Sequence, residues 1–224
     1  MEEKLSPERR HRYETVIDLI VIFSLLTLGV LTIVLSPSRL RITYGVMLLV
    51  LWLGIAFHLI ARVLSFRLKD SPKVVKLLGL SKLVCSVTFT LGILLFLWLD
   101  YYFYLTDNAF FFMAGAVVAS VRIIACSYPD NNWFSSVKPR TGVLRFRTIP
   151  MLILLILLLI SVFIANFDQS LWESPSGYFY FPLLFVIIGY GGATMFGDKN
   201  PRFNVLMLLN ALGILGFATL GLLL

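Results

Sequence analysis

Seven long apolar runs constrain this chain more than any motif in it. They occupy residues 16–35, 43–61, 82–101, 109–126, 149–165, 177–196 and 203–224. Each is close to the roughly 20 residues that a helix needs to cross a bilayer. None alternates apolar and polar with period two, which excludes the strands of about 10 residues that build outer-membrane barrels. The expected fold is therefore all-α: a polytopic integral membrane protein of about seven transmembrane helices, forming one membrane domain. Composition agrees. The 224 residues are 59% apolar and only 14% charged, whereas a soluble domain is about a quarter charged. Seven spans leave no room for a separate soluble domain, and two cysteines exclude a disulfide scaffold.

Capping patterns refine the boundaries. Ser6-Pro7, Ser71-Pro72 and Asn200-Pro201 each set a capping side chain before a proline suited to the first helical position. The first and third helices are thus expected to begin several residues ahead of their apolar cores. The first run is too long for a signal-peptide core, and Leu35-Ser36-Pro37-Ser38-Arg39 offers no small-x-small cleavage pattern, so it reads as a retained anchor.

With seven spans, the connecting segments alternate between the two sides. All but two of the 19 Lys and Arg then fall on one side, the exceptions being Arg39 and Arg41. This asymmetry predicts a cytoplasmic N-terminus and a C-terminus on the opposite side. It also predicts that the net charge of +7 attracts anionic lipid to the cytoplasmic face. A docking surface around Trp133, Phe134, Lys138, Arg140, Arg145 and Arg147 is the sharper alternative, although no nucleic-acid motif occurs there. The other side carries Asp100, Asp107, Asp168 and Glu173 among Tyr101, Tyr102, Tyr104, Trp172, Tyr178 and Tyr180. These read first as an aromatic interfacial belt and second as an acidic mouth that concentrates cations.

Ionisable groups at membrane depth are costly, which makes them candidates for function. Asp18, His58, Arg62, Lys82 and Arg122 come from the first four runs, yet all map within roughly 3–6 Å of the inner boundary at 1.5 Å per residue. Two expectations compete here. The residues line a polar inner vestibule, in which Arg62, Lys82 and Arg122 face an anion and His58 is the group that titrates near neutral pH. Otherwise they simply reach for interfacial water, with Asp18 paired to one of the basic groups.

The sixth run contains Gly189-Tyr190-Gly191-Gly192-Ala193. Glycine weakens a helix by roughly 1 kcal/mol relative to alanine, so Gly189, Gly191 and Gly192 are candidate hinge positions, as in interrupted transporter helices. The plainer expectation is close packing through small residues, here Gly189 with Ala193 and, in the fourth run, Gly115 with Ala119. No catalytic motif or phosphate loop is present, two histidines build no metal centre, and nothing calls for a cofactor. The reading that follows is a small transporter or channel with a polar vestibule near the inner leaflet, with a homo-oligomer as its expected assembly. Its rival is a non-catalytic scaffold or anchor subunit for a membrane-complex partner.

Overall fold

The computed structural model describes residues 7–35, 38–67, 71–103, 109–135, 141–165, 178–196 and 203–222. Its seven α-helices are α1 (Pro7–Leu35), α2 (Arg39–Arg67), α3 (Pro72–Phe103), α4 (Ala109–Ser127), α5 (Thr141–Ala165), α6 (Tyr180–Phe196) and α7 (Phe203–Leu220), with a 3₁₀ turn at Pro129–Asn131. No strand occurs among the described residues. The protein is a polytopic, all-helical membrane protein. Five of the helices, α1 to α5, are long and apolar enough to cross a membrane, and α6 and α7 add shorter apolar segments.

The prolines do what their position dictates. Pro7 and Pro72 are the first residues of α1 and α3, where a missing N–H costs nothing. The Ser71 carbonyl accepts the first turn of α3 from the Val74 and Val75 N–H groups. The Ser38 hydroxyl caps α2 by accepting the Arg41 N–H at 3.2 Å. The helix bounds lie outside the apolar runs at α1, α2, α3 and α5, because hydropathy marks only the lipid-facing core of a helix. α5 begins at Thr141, a full two turns before the apolar run at Ile149, and carries Pro150 in its interior.

The helices close on themselves. Each packs against its successor in the chain, α7 packs back onto α1, and α3 also touches α5. Small residues set the tightest crossings. A Cβ on Gly189 would lie 2.5 Å from the Asn210 backbone nitrogen, and one on Gly213 would lie 2.7 Å from the Pro182 carbonyl oxygen. These contacts fix α6 against α7. A Cβ on Gly115 would fall 2.5 Å from the Leu97 side chain, and Ala119 is buried beside it, so the small face of α4 seats α3.

The outer surface is apolar. Phe23, Val34, Phe110, Val117 and Ile124 are each more than 60% exposed. A soluble monomer rarely shows so much apolar surface; against lipid tails it is the expected exterior.

The two ends of the ring differ. At the end holding the C-termini of α3 and α7, Tyr44, Phe96, Phe179 and Phe217 interlock, with ring centroids 4.5–6.2 Å apart. The Tyr44 hydroxyl donates to the Phe217 carbonyl. The space beside Tyr44 exists because Gly221 has no Cβ, which would sit 2.2 Å from the ring. Nearby, the Ser161 hydroxyl of α5 donates to the Asp100 carboxylate of α3. Asp100 is only 2% exposed. This corrects its expected place in an acidic mouth: Asp100 stands on the face of α3 that packs against α5, not at the surface. Asp107, Asp168, Glu173, Tyr104 and Trp172 lie outside the described residues.

A stack of cavities inside the helix ring

The opposite end gathers the charged groups. Two adjacent cavities, of about 200 Å³ and about 220 Å³, share His58, Cys85, Ser86, Arg122 and Tyr190 as common walls. Asp18 of α1 and Asn210 of α7 complete one of them. Lys82 of α3, Trp133, and Arg147 and Thr148 of α5 complete the other. A smaller apolar cavity follows along the axis. It shares Phe89 and Ile214 with the Asp18 side and is bounded beyond by Phe96 and Phe217 of the aromatic cluster. A charged cavity, a mixed chamber and a small apolar cavity thus succeed one another toward the aromatic cluster.

Arg122 is the centre of this arrangement and is only 3% exposed. Its Nε–H donates to Thr90 Oγ1 at 2.7 Å, and Thr90 in turn donates to the Ser86 carbonyl. One terminal nitrogen donates to the Arg147 carbonyl at 2.8 Å and the other approaches the Tyr190 hydroxyl at 3.4 Å. All these partners are neutral. Among the described residues, no carboxylate lies within salt-bridge distance of Arg122 or Arg147; the one ion pair there joins Arg62 to Asp18, 3.0 Å apart.

A structured connection between α4 and α5 walls the cavity of Lys82 and Arg147. The Asn131 side-chain amide donates to the Ala125, Cys126 and Tyr128 carbonyls, at 2.7–3.2 Å. It thereby adds a donor to the Ala125 and Cys126 carbonyls at the end of α4, where intrahelical N–H groups run out. Asn132 takes the left-handed conformation at φ 52°, which asparagine tolerates better than most residues. Trp133 then swings under α4 and donates its indole N–H to the Cys126 carbonyl at 2.6 Å. Its backbone lies so close to α3 that a Cβ on Gly79 would overlap the Trp133 carbonyl oxygen, at 1.4 Å. The Arg147 guanidinium stacks on the Trp133 ring, 4.4 Å from its centroid, and approaches Asn131 Oδ1 at 3.4 Å.

Of the residues picked out from sequence, Asp18, His58, Lys82 and Arg122 stand on the walls of these cavities. Arg62 stands behind the wall as the partner of Asp18. His58 Nδ1 lies 3.1 Å from Ser81 Oγ. That hydroxyl already donates to the Leu78 carbonyl, so it accepts from the imidazole, and in the neutral ring Nε2 is the acceptor. The candidate hinge is helical throughout α6. Gly189 faces the α7 backbone and Gly192 faces Leu206; the surroundings of Gly191 and Ala193 lie outside the described ones.

Sequence reasoning missed Arg147, Trp133 and Tyr190 as cavity residues. Arg145 and Arg147 are two positions apart, which on a helix sends them to opposite faces. One is exposed and the other half-buried, and that spacing was the available signal. Phe134 is exposed, while Lys138 and Arg140 lie outside the described residues. Comparison with protein-family models, curated proteins and solved structures finds no match to this chain.

Proposed function

We propose that the protein is a small membrane transporter or channel. Its solute passes through the interior of the helix ring and is received at the polar, basic end. The observation that carries this reading is the axial run of cavities from Lys82 and Arg147, past Arg122 and Asp18, to the aromatic seal at Phe96 and Phe217. A ring built only for rigidity has no use for a chamber lined by Asp18, His58 and Arg122 at membrane depth, where each charge is costly. Asn210 supports the same reading: its Oδ1 is buried on the chamber wall without a donor among the described residues. A polar solute or its water supplies such a donor.

The side holding the basic end is cytoplasmic in this reading, by the Lys and Arg asymmetry, and anionic lipids surround that rim. The interlocked rings describe a state closed toward the opposite side and receptive toward the basic one. Proteoliposomes loaded with radiolabelled phosphate, amino acids and sugars test the proposal. The expected result is efflux of at least one solute class, lost in Arg122→Gln. Absence of any flux, together with stoichiometric co-purification of another membrane protein, contradicts it and favours an anchoring subunit.

A further inference from the structure

The chamber walled by Asp18, Arg122 and Asn210 holds charges of both signs. We infer that it is a binding site for a zwitterion, an α-amino acid with an apolar side chain; this rests on its being a solute chamber. Its volume is about 200 Å³, far above the roughly 15 Å³ that a single water needs. Asp18 of α1 and Arg122 of α4 stand on its walls with His58 of α2, Tyr190 of α6 and Asn210 of α7. The rest of the wall is mainly apolar, Phe89 and Ile214 included. A few converging polar groups in an apolar wall are the usual make-up of a small-molecule site.

The polar groups keep bonding capacity that the protein does not use. Arg122 spends three of its five N–H groups on protein partners. Arg62 engages Oδ2 of Asp18 at 3.0 Å, and among the described residues Oδ1 has no hydrogen-bond partner. Asn210 Oδ1 is buried, again with no donor among the described residues, whereas buried polar atoms are almost always paired in native proteins. Packing brings these groups close. A Cβ on Gly189 would lie 2.5 Å from the Asn210 backbone nitrogen, which sets Asn210 against the turn of α6 that carries Tyr190. The Tyr190 hydroxyl lies 3.4 Å from an Arg122 terminal nitrogen, and its ring stacks on Phe89.

Opposite charges on the walls of one chamber select against singly charged solutes. An anion drawn to Arg122 is repelled by Asp18, and a cation drawn to Asp18 is repelled by Arg122, more strongly where water is excluded. An uncharged solute makes weaker hydrogen bonds to both. A zwitterion suits the two together. Its carboxylate accepts from the spare N–H groups of Arg122, a fork matched to carboxylate geometry. Its ammonium donates to Asp18 Oδ1 and Asn210 Oδ1. In an α-amino acid both charged groups hang from one carbon, so the side chain departs on a third bond toward the apolar wall. Phe89 and Ile214 continue that wall into the small apolar cavity beyond.

Binding measured apart from transport tests this. Thermal unfolding of the purified full-length protein is followed as L-leucine is added, beside leucinamide, which lacks the carboxylate, and 4-methylpentanoate, which lacks the amine. The expected result is saturable stabilisation by leucine, with either analogue bound about tenfold or more weakly, as loss of a charge-assisted contact implies. Asp18→Asn is expected to weaken leucine by a similar factor and to leave 4-methylpentanoate unchanged or tighter. Arg122→Gln is expected to weaken leucine and spare leucinamide. Arg145→Gln, which removes an exposed charge from α5, is expected to change none of these. Should Arg122→Gln fail to fold, the Asp18→Asn comparison decides alone. Equal binding of leucine and 4-methylpentanoate, or no saturable response to leucine, overturns the site. Equal losses in Asp18→Asn and Arg145→Gln overturn it too, since they mean diffuse electrostatics. Flux of phosphate or sugar without leucine binding overturns the inference and keeps the transport reading. Asp18-dependent leucine binding in a protein that moves no solute supports the site and removes only the transport reading.

Discussion

Among the described residues, the two ends of the ring each bury one ionisable side chain, and they treat it in opposite ways. Asp100 is held by Ser161 in close packing at the aromatic end and borders none of the three cavities described above. Arg122, at the basic end, is equally buried but stands on the shared wall of two cavities. The aromatic end devotes its sequence to interlocked rings, with Gly221 leaving room for Tyr44. The basic end spends it on hydrogen-bonded supports such as Thr90, Asn131 and Trp133, which hold charged groups around empty space. Burial alone therefore does not mark a site; burial against a cavity, with supports for the charged group, does.

Substitutions at the two ends should separate stability from ligand handling. The largest effect on folding is expected from Phe96→Ala. This ring touches Tyr44, Phe179 and Phe217, and truncating a large buried side chain costs about 3–5 kcal/mol where the space does not collapse. Thermal unfolding in detergent reads this, and a loss under 1 kcal/mol would mean that the aromatic end is no seal. Arg122→Gln is expected to change stability by about 2 kcal/mol or less, because the lost hydrogen bonds are offset by removal of a buried charge. The same variant is expected to abolish solute flux. A severe folding defect with unaltered flux would reverse the assignment of the two ends. The smallest effect is expected from Asp18→Asn, about 1 kcal/mol: Asp18 and Arg62 are mostly buried, 22% and 19% exposed, but Asn keeps a side-chain oxygen that accepts from Arg62.

Much of the architecture was legible in the sequence. Long apolar runs require helices, and Pro7 and Pro72 marked two helix starts to the residue, because proline at that position follows from a missing donor. The start of α5 was not legible. Residues 141–148 mix Val143, Leu144 and Phe146 with Thr141, Arg145, Arg147 and Thr148, and the two arginines interrupt the apolar run from which the helix start was read. The shared depth of Asp18, His58, Lys82 and Arg122 was readable from their distance to the run ends. Their convergence was not, because it depends on how α1 to α4 rotate about their own axes. Arg147 and Trp133 were hidden for another reason: a loop that caps α4 through Asn131 folds them inward, and the sequence shows them only as part of a basic stretch.

Cys85 offers the most direct measurement, because its thiol lies on the wall of both chambers. In a Cys126→Ser background, which removes the other of the two cysteines, its modification is followed in sealed proteoliposomes. Methanethiosulfonates bearing either a sulfonate or a trimethylammonium group are added from one side at a time. A cationic chamber open only at the basic end should give reaction from that side alone, with the sulfonate reagent at least tenfold faster. Equal rates for the two reagents, or reaction from the aromatic side, would contradict it.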